Sequence, residues 1–463
     1  MPTEVVSDQL VSKVETLSEP VYKTIKIQPV GGNSYTFSSS TAEKEFSLTN
    51  TVYNLARSRL EFDLLVPAQG AGNFSHNHLK VPIREITLRT SGDFELAKIS
   101  DVDVFSKTVS FLAMKSSQYL QTESIQAGAT VAAAPGMYTG PNPCNVPSNT
   151  AMAALTPHGQ YIKSDGTPSG VAYTNAAGVA GPNASQNLIS SGDNAAVGIH
   201  FSIPLSMFAF TIMAQDKNRY FNDMLRLVVT FAPQTSLGAI ATSVTAPQTG
   251  AADYATPPVL SNLGLYLAEE RDQHNVQMAK SQFAKGGRSI VPFVMTKRVA
   301  LGTATNFSVS HDLNLGSGQA LLAAVNVPIL SANQGRRAAN TSNVNAETII
   351  NVQTHLDSQP IQNEKVDTAS GADYQFLKKY LNSTALDGRR QFSTHWCWVD
   401  AFAASGKSAG EWNELYSLES GLALDEAHKY TIDLEKTALD MSLIQYLVVQ
   451  RELAFRDGQP MWV

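Results

Sequence analysis

Residues Ser58–Val66 read SRLEFDLLV, and this stretch decides the fold. Leu60, Phe62, Leu64 and Val66 are apolar, while Glu61 and Asp63 between them carry charge. Alternate side chains of a strand point to opposite faces, so this is a strand with one face buried and one in water. Working outward, Ile86 and Leu88 alternate with Glu85, Thr87 and Arg89, and Ser91-Gly92 follows as a turn. Upstream, Gly31-Gly32-Asn33 is a turn signal rather than a phosphate loop. Downstream, strand patterns return at Ile199–Leu205, Leu225–Phe231 and Leu263–Leu267. Between them, Asp101–Met114 and Met207–Tyr220 read as short helical stretches.

The second half repeats the plan. Ser289–Val294 reads as a strand, and Phe307–Leu315 alternates strictly. Leu321–Leu330 is a continuous apolar run, and Phe392–Trp398 is an aromatic strand. A helix carrying Tyr374, Phe376, Leu377 and Tyr380 precedes that strand. Tyr430, Ile432 and Leu434 alternate with polar residues, and Leu443–Val449 with Leu453–Phe455 closes the chain. The charged run Glu269-Glu270-Arg271-Asp272 opens a helical or extended linker that ends at Gly286-Gly287. Its charges read as solvated or paired across an interface. Many short strands in two runs argue for two antiparallel sandwiches, and tandem immunoglobulin-like domains fit the count as well as jelly rolls.

Two segments stand apart. In residues 1–20, Val6, Leu10, Val14 and Leu17 fall on one helical face, and Pro20 ends the pattern. Such an arm must dock on its own barrel, a neighbouring subunit or a lipid surface, and its small positive charge makes anionic lipid the weakest of the three. Residues 117–197 lose hydrophobic periodicity and are rich in Ala, Gly, Ser, Asn and Pro, which marks a long surface insertion. The domain plan is therefore 1–20 arm, 21–285 first unit with its insertion, and 286–463 second unit.

Composition narrows the function. Only 16% of the 463 residues are charged, against roughly 25% in typical soluble domains. Interface cores are depleted of charge, so this surface suits extensive protein–protein contact. The net charge of −6 offers no basic field for nucleic acid. Arg336-Arg337 and Arg389-Arg390 are short solvated pairs. Cys144 and Cys397 suggest no disulfide framework, and the N-terminus has no signal-peptide pattern. No apolar run reaches the roughly 18 residues of a membrane span.

The candidate chemistry is thin. His76-Asn77-His78 lacks a third metal ligand nearby. His395 and Cys397 share a strand face, about 6–7 Å apart at Cα, too far for thiolate activation without an orienting third group. No phosphate loop, dinucleotide fingerprint, zinc-protease or serine-hydrolase signature is present. The sequence therefore predicts no catalytic residue, no metal and no cofactor.

Several stretches resemble the double jelly-roll major capsid proteins of tailless icosahedral DNA viruses, the adenovirus-like, virophage-like and large algal-virus coat proteins. They are YKTIKIQPVGGNSYTF at Tyr22–Phe37, SRLEFDLLVP at Ser58–Pro67, FSIPLSMFAF at Phe201–Phe210, MLRLVVTF at Met224–Phe231 and LGLYLAEERDQ at Leu263–Gln273. Their order and spacing match along the chain, and the second half matches in its layout. The 117–197 insertion differs in sequence but sits where the family carries tower-like insertions. The resemblance implies an all-β fold of two tandem eight-stranded jelly-roll barrels with long loop insertions and a few short helices. It also implies a non-enzymatic shell protein of the virion, assembled inside the host cell, forming homotrimers whose six barrels make a pseudo-hexagonal capsomer. Its partners would be neighbouring capsomers and penton or minor capsid proteins, with an internal membrane as one surface for the arm and no sequence-specific nucleic-acid contact. Competing readings are a tandem jelly-roll carbohydrate- or receptor-binding spike, which calls for clustered Asp/Asn calcium ligands or an exposed aromatic platform, and a jelly-roll glycosidase with paired carboxylates about 5–10 Å apart.

Overall fold

The computed structural model describes residues 20–66, 73–75, 82–107, 109, 160–162, 168–172, 188–189, 197–234, 240–241, 256–284, 288–313, 319–330, 349–367, 397–402, 422–423, 427–456 and 459–462. In the first half, eight principal strands run in chain order: β1 (Tyr22–Ile27), β2 (Ala42–Ser47), β3 (Tyr53–Val66), β4 (Ile83–Thr90), β5 (Glu95–Ser100), β6 (Val197–Pro204), β7 (Leu225–Phe231) and β8 (Val259–Glu270). They form two antiparallel sheets ordered β1-β8-β3-β6 and β2-β7-β4-β5. The second half supplies β9 (Arg288–Gly302), β10 (Asn306–Leu313), β11 (Ala320–Leu330), β12 (Ile349–Leu356), β13 (Gln359–Pro360), β14 (Trp398–Ala401), β15 (His428–Lys436) and β16 (Met441–Arg456). Its sheets are ordered β9-β16-β11-β14 and β10-β15-β12-β13. Counted within each set of eight, both halves read 1-8-3-6 and 2-7-4-5. Two four-stranded sheets closing on each other in this order make a jelly roll, so the chain is two jelly rolls in tandem. A final strand, β17 (Gln459–Trp462), returns along β16.

The alternation read in the sequence is the core pattern. Leu60, Phe62 and Leu64 of β3 are fully buried, and Phe62 stacks on its cross-strand neighbour Phe201 with centroids 4.9 Å apart. In β15, Tyr430, Ile432 and Leu434 point inward while Thr431, Asp433 and Glu435 are half-buried. The apolar run at Leu321–Leu330 lies in a strand covered on both faces, which is why it shows no alternation.

Helix α1 (Val102–Lys107) lies within the predicted Asp101–Met114 helix, whose end falls outside the described residues. The predicted helix over Met207–Tyr220 does not form. Two 3₁₀ turns, Leu205–Met207 and Ile212–Ala214, occupy its place. Phe210 adopts φ 57°, outside helical space, and the Thr211 hydroxyl donates to the Phe208 carbonyl oxygen at 2.6 Å while accepting from the Met213 amide. The linker resolves as a helix, α2 (Gln273–Ala284), and the Asp272 carboxylate caps it by accepting from the Asn275 amide at 3.0 Å.

The three connections β3–β4, β5–β6 and β7–β8 meet in a small extra sheet of short strands, Ile240–Ala241, Asn73–Ser75, Leu188–Ile189, Gln160–Ile162 and Pro168–Ala172. Part of the 117–197 insertion is thus ordered, and it pairs with segments far away in sequence. Strand β1 runs alongside β8 and in the same direction as β3. Its first residue therefore lies at the opposite end of the barrel from this extra sheet.

Candidate assembly surfaces

The join between the jelly rolls is built by β5 and α1 of the first against β9 and β16 of the second. Tyr446 turns its hydroxyl toward the Ser100 and Asp101 carbonyl oxygens at 3.5 and 3.4 Å, and its ring meets Phe105. Arg298 donates to the Asp101 carboxylate at 3.0 Å. Phe94 packs on Trp462 at 5.5 Å, and Phe221 and Phe283 on Phe455. Buried residues of both barrels form one continuous apolar cluster across this join.

At the end where β1 begins, a cleft of about 720 Å³ opens between the barrels and α2, lined among others by Pro20, Tyr22, Arg57, Met278, Phe283 and Arg288. Its lining residue Asn218 bonds to the acidic run behind it, and here the sequence reading is corrected. Glu269 and Glu270 are buried rather than solvated. Oε1 of Glu270 accepts from the backbone amides of Val21, Arg271 and Asp272 at 2.9–3.0 Å, and Oε2 accepts from Asn218 at 2.7 Å. Convergent donors of this kind compensate a buried carboxylate. Glu270 thereby ties the chain leaving the arm to the strand end and the start of α2. Arg271 pairs with Glu269 at 2.8 Å.

A second polar cluster lies inside barrel two. The Asp400 carboxylate accepts from Tyr430 Oη at 2.6 Å, Gln362 Nε2 at 3.1 Å and Trp398 Nε1 at 3.2 Å. Asn326 donates to Tyr430 Oη at 2.7 Å and accepts from Gln445 at 3.0 Å. Burial pushes the Asp400 carboxyl above the ordinary range, against the lowering effect of its donors. The cluster links β11, β14 and β16 of one sheet to β15 of the other. It is a clasp between sheets.

The arm residues Val6, Leu10, Val14 and Leu17 lie outside the described residues, as do His76, His78, Cys144, both arginine pairs, His395, Trp396 and the Tyr374–Tyr380 helix. Cys397 is buried and its thiol is pushed up to about 12, so it is not a thiolate at neutral pH. Among the described residues, no three His, Cys, Asp or Glu side chains converge as metal ligands. Sequence reading missed β5, whose adjacent buried Leu96 and Ala97 break the alternation, and it missed the Asp101–Arg298 pair, which joins residues far apart in the chain. It placed Asp400 in the buried aromatic strand beside Cys397 but missed its role as an acceptor, because Tyr430 and Gln362 reach it from distant segments.

The fold defines the class: a double jelly roll. No protein-family model matches the chain, and no curated protein matches it. Solved structures do. PBCV-1 VP54, as fitted into a cryo-EM reconstruction of the virophage Sputnik, is 10% identical with a TM-score of 0.54, covering 96% of this chain and 97% of that one. The Faustovirus major capsid protein is 9% identical with a TM-score of 0.54, covering 95% and 91%. The PBCV-1 virus capsid model is 8% identical with a TM-score of 0.53, covering 96% and 97%. The chain shares the double jelly-roll fold of these viral coat proteins along nearly its whole length.

Proposed function

We propose that this chain is a viral major capsid protein that self-assembles as trimeric, pseudo-hexagonal capsomers into an icosahedral shell. The observation that carries the reading is the repeated 1-8-3-6 and 2-7-4-5 strand order, joined through one continuous core. Two equivalent barrels per chain are the unit from which three copies make a six-barrel ring. Likeness in fold to the PBCV-1 and Faustovirus coat proteins over more than nine-tenths of the chain supports the same role.

The domain plan of the proposal is an arm over 1–20, a first jelly roll over 21–285 and a second over 286–463. The insertion and the start of β1 lie at opposite ends of the first barrel. The insertion then faces outward from the shell. The arm, with Val6, Leu10, Val14 and Leu17, faces inward and meets neighbouring capsomers or an internal membrane. Penton or minor capsid proteins complete the shell, and the chain works in the virion without catalysis or sequence-specific nucleic-acid contact. Cryo-electron microscopy of particles assembled from the full chain tests this. Six-lobed capsomers with two barrels per copy are expected, and particles built from any other unit would refute the reading.

A further inference from the structure

The cleft at the start of β1 has an apolar floor and a cationic mouth. Helix α2 turns Met278, Ala279 and Phe283 into it, and these side chains are only half-buried. The Phe283 ring meets Tyr220 at 5.3 Å and Phe455 at 4.6 Å, so the floor is a run of aromatic rings. Apolar side chains left half in water on the wall of a cleft gain from being covered. At the mouth, Arg57 and Arg288 have side chains 50% and 67% exposed. Lys217 and Arg219 add to them, and Asp216 is the one acid among the described lining residues. Arg57 pairs with Asp216 and Arg288 with Glu452, yet a guanidinium with five N–H donors keeps capacity beyond one carboxylate.

The segment that starts at this cleft has the complementary pattern. Pro20 lines the cleft, so residues 1–19 continue from its edge. On a helix, the acids Glu4, Asp8 and Glu15 fall on the side opposite Val6, Leu10, Val14 and Leu17. Glu19 adds a fourth acid beside Pro20, and Lys13 is the only base in the segment. With the stripe on the aromatic floor, the acids ride at the level of the cationic mouth.

The dimensions agree. Val6 to Leu17 spans about 16 Å of helix, and α2 spans about 18 Å, at roughly 1.5 Å per residue. Both segments leave from one point. Oε1 of Glu270 accepts from the Val21 amide at 3.0 Å and from the Asp272 amide, just before α2, at 2.9 Å.

We infer that the cleft seats the arm of the same chain, with Val6, Leu10, Val14 and Leu17 on the aromatic floor beside α2. Traced back from Pro20, the arm runs antiparallel to α2, with Val14 level with Met278 and Leu10 level with Phe283. Four aliphatic side chains do not repay the ordering of about fifteen residues, so the seat is occupied only part of the time in the free chain. It fills when a partner closes over the arm, and the inference rests on the capsid reading for that partner alone.

Disulfide trapping in the full chain tests it, because a bridge captures a transient seat and forms only when two Cα atoms come within about 7 Å. Cys144→Ser removes a competing thiol, and Cys397 is buried. Val14→Cys with Met278→Cys should close a bridge within one chain, seen as a faster monomer band on a non-reducing gel. Glu15→Cys with Met278→Cys controls for tethering. That position is as near Pro20 but on the other face, so it should bridge about tenfold more slowly. Val14→Cys with Leu439→Cys should stay open, because Leu439 lies at the Gly302 end of β9, roughly 45 Å along the strand from Arg288. Thermal melting checks that each variant is folded, and Ala279→Cys replaces Met278→Cys if the latter melts early. Equal rates for the two Met278 pairs, or no bridge in either, overturn the inference. Bridges that link two chains put the arm in a neighbour's cleft and overturn it as well. Light scattering on the same samples reads the trimer separately, so the seat can fail while the capsomer reading stands, and a bridged monomer would sink the capsomer reading alone.

Discussion

The ring of Phe105 meets the ring of Tyr446 edge-on, with centroids 5.4 Å apart and planes at 74°. The two residues belong to different barrels and share one apolar cluster. Aromatic pairs in this geometry add to the area they bury. The join is consequently part of the core, and the two barrels should unfold together rather than in sequence. Tyr446→Ala is expected to cost about 3–5 kcal/mol, the usual range for emptying an aromatic site in a core. Tyr446→Phe should cost about 1 kcal/mol or less, because the hydroxyl contacts are long. Urea unfolding followed by fluorescence measures both, and two separate transitions in the wild type would contradict the shared core.

Asp400 holds the clasp inside barrel two. Asp400→Ala strands three buried donors, each costing about 1–3 kcal/mol when left unpaired. Asp400→Asn keeps one carbonyl oxygen as acceptor and should lose distinctly less. Equal losses in the two variants would show that the site needs only volume.

His311 on β10 is half-buried, and burial together with Lys297 holds its imidazole below the ordinary 6.5, with Asp312 opposing. Protonation is then easier in the unfolded chain than in the folded one. This contribution to stability is complete above the ordinary value and is lost as pH falls through it toward the lower folded value. Denaturant midpoints at pH 7.5 and pH 5.5 should differ more for the wild type than for His311→Gln. Parallel shifts in both proteins would assign the pH dependence to other groups.

Strands that are buried on one face announced themselves in the sequence. β3 and β15 alternate strictly because water covers one side of each. Strands buried on both faces did not: β16 reads as two apolar fragments, yet it is one strand of 16 residues. The Met207–Tyr220 stretch misled for a related reason. Nearly all of its apolar side chains are buried, so no period survives, and a left-handed Phe210 has no sequence signature. One surface cluster of the first barrel was invisible for a different reason. Lys26, Arg59 and Tyr266 come from three strands, and only the sheet order brings them together.

The arm makes a further prediction. Four aliphatic side chains bury on the order of 6–10 kcal/mol of transfer energy. Ordering some fifteen residues at roughly 1–2 kcal/mol each costs more than this stripe alone returns, so further contacts from a partner are needed. The arm should therefore order only against a partner surface. Deleting residues 1–18 should leave the melting temperature nearly unchanged and impair particle formation. Normal particles from the truncated chain would show the arm to be dispensable.

The native mass of the full chain tests the central claim most directly. Light scattering on the undenatured protein at micromolar concentration should give three times the mass of one chain, as a six-barrel capsomer requires. A clean monomer under the same conditions would contradict the capsid account.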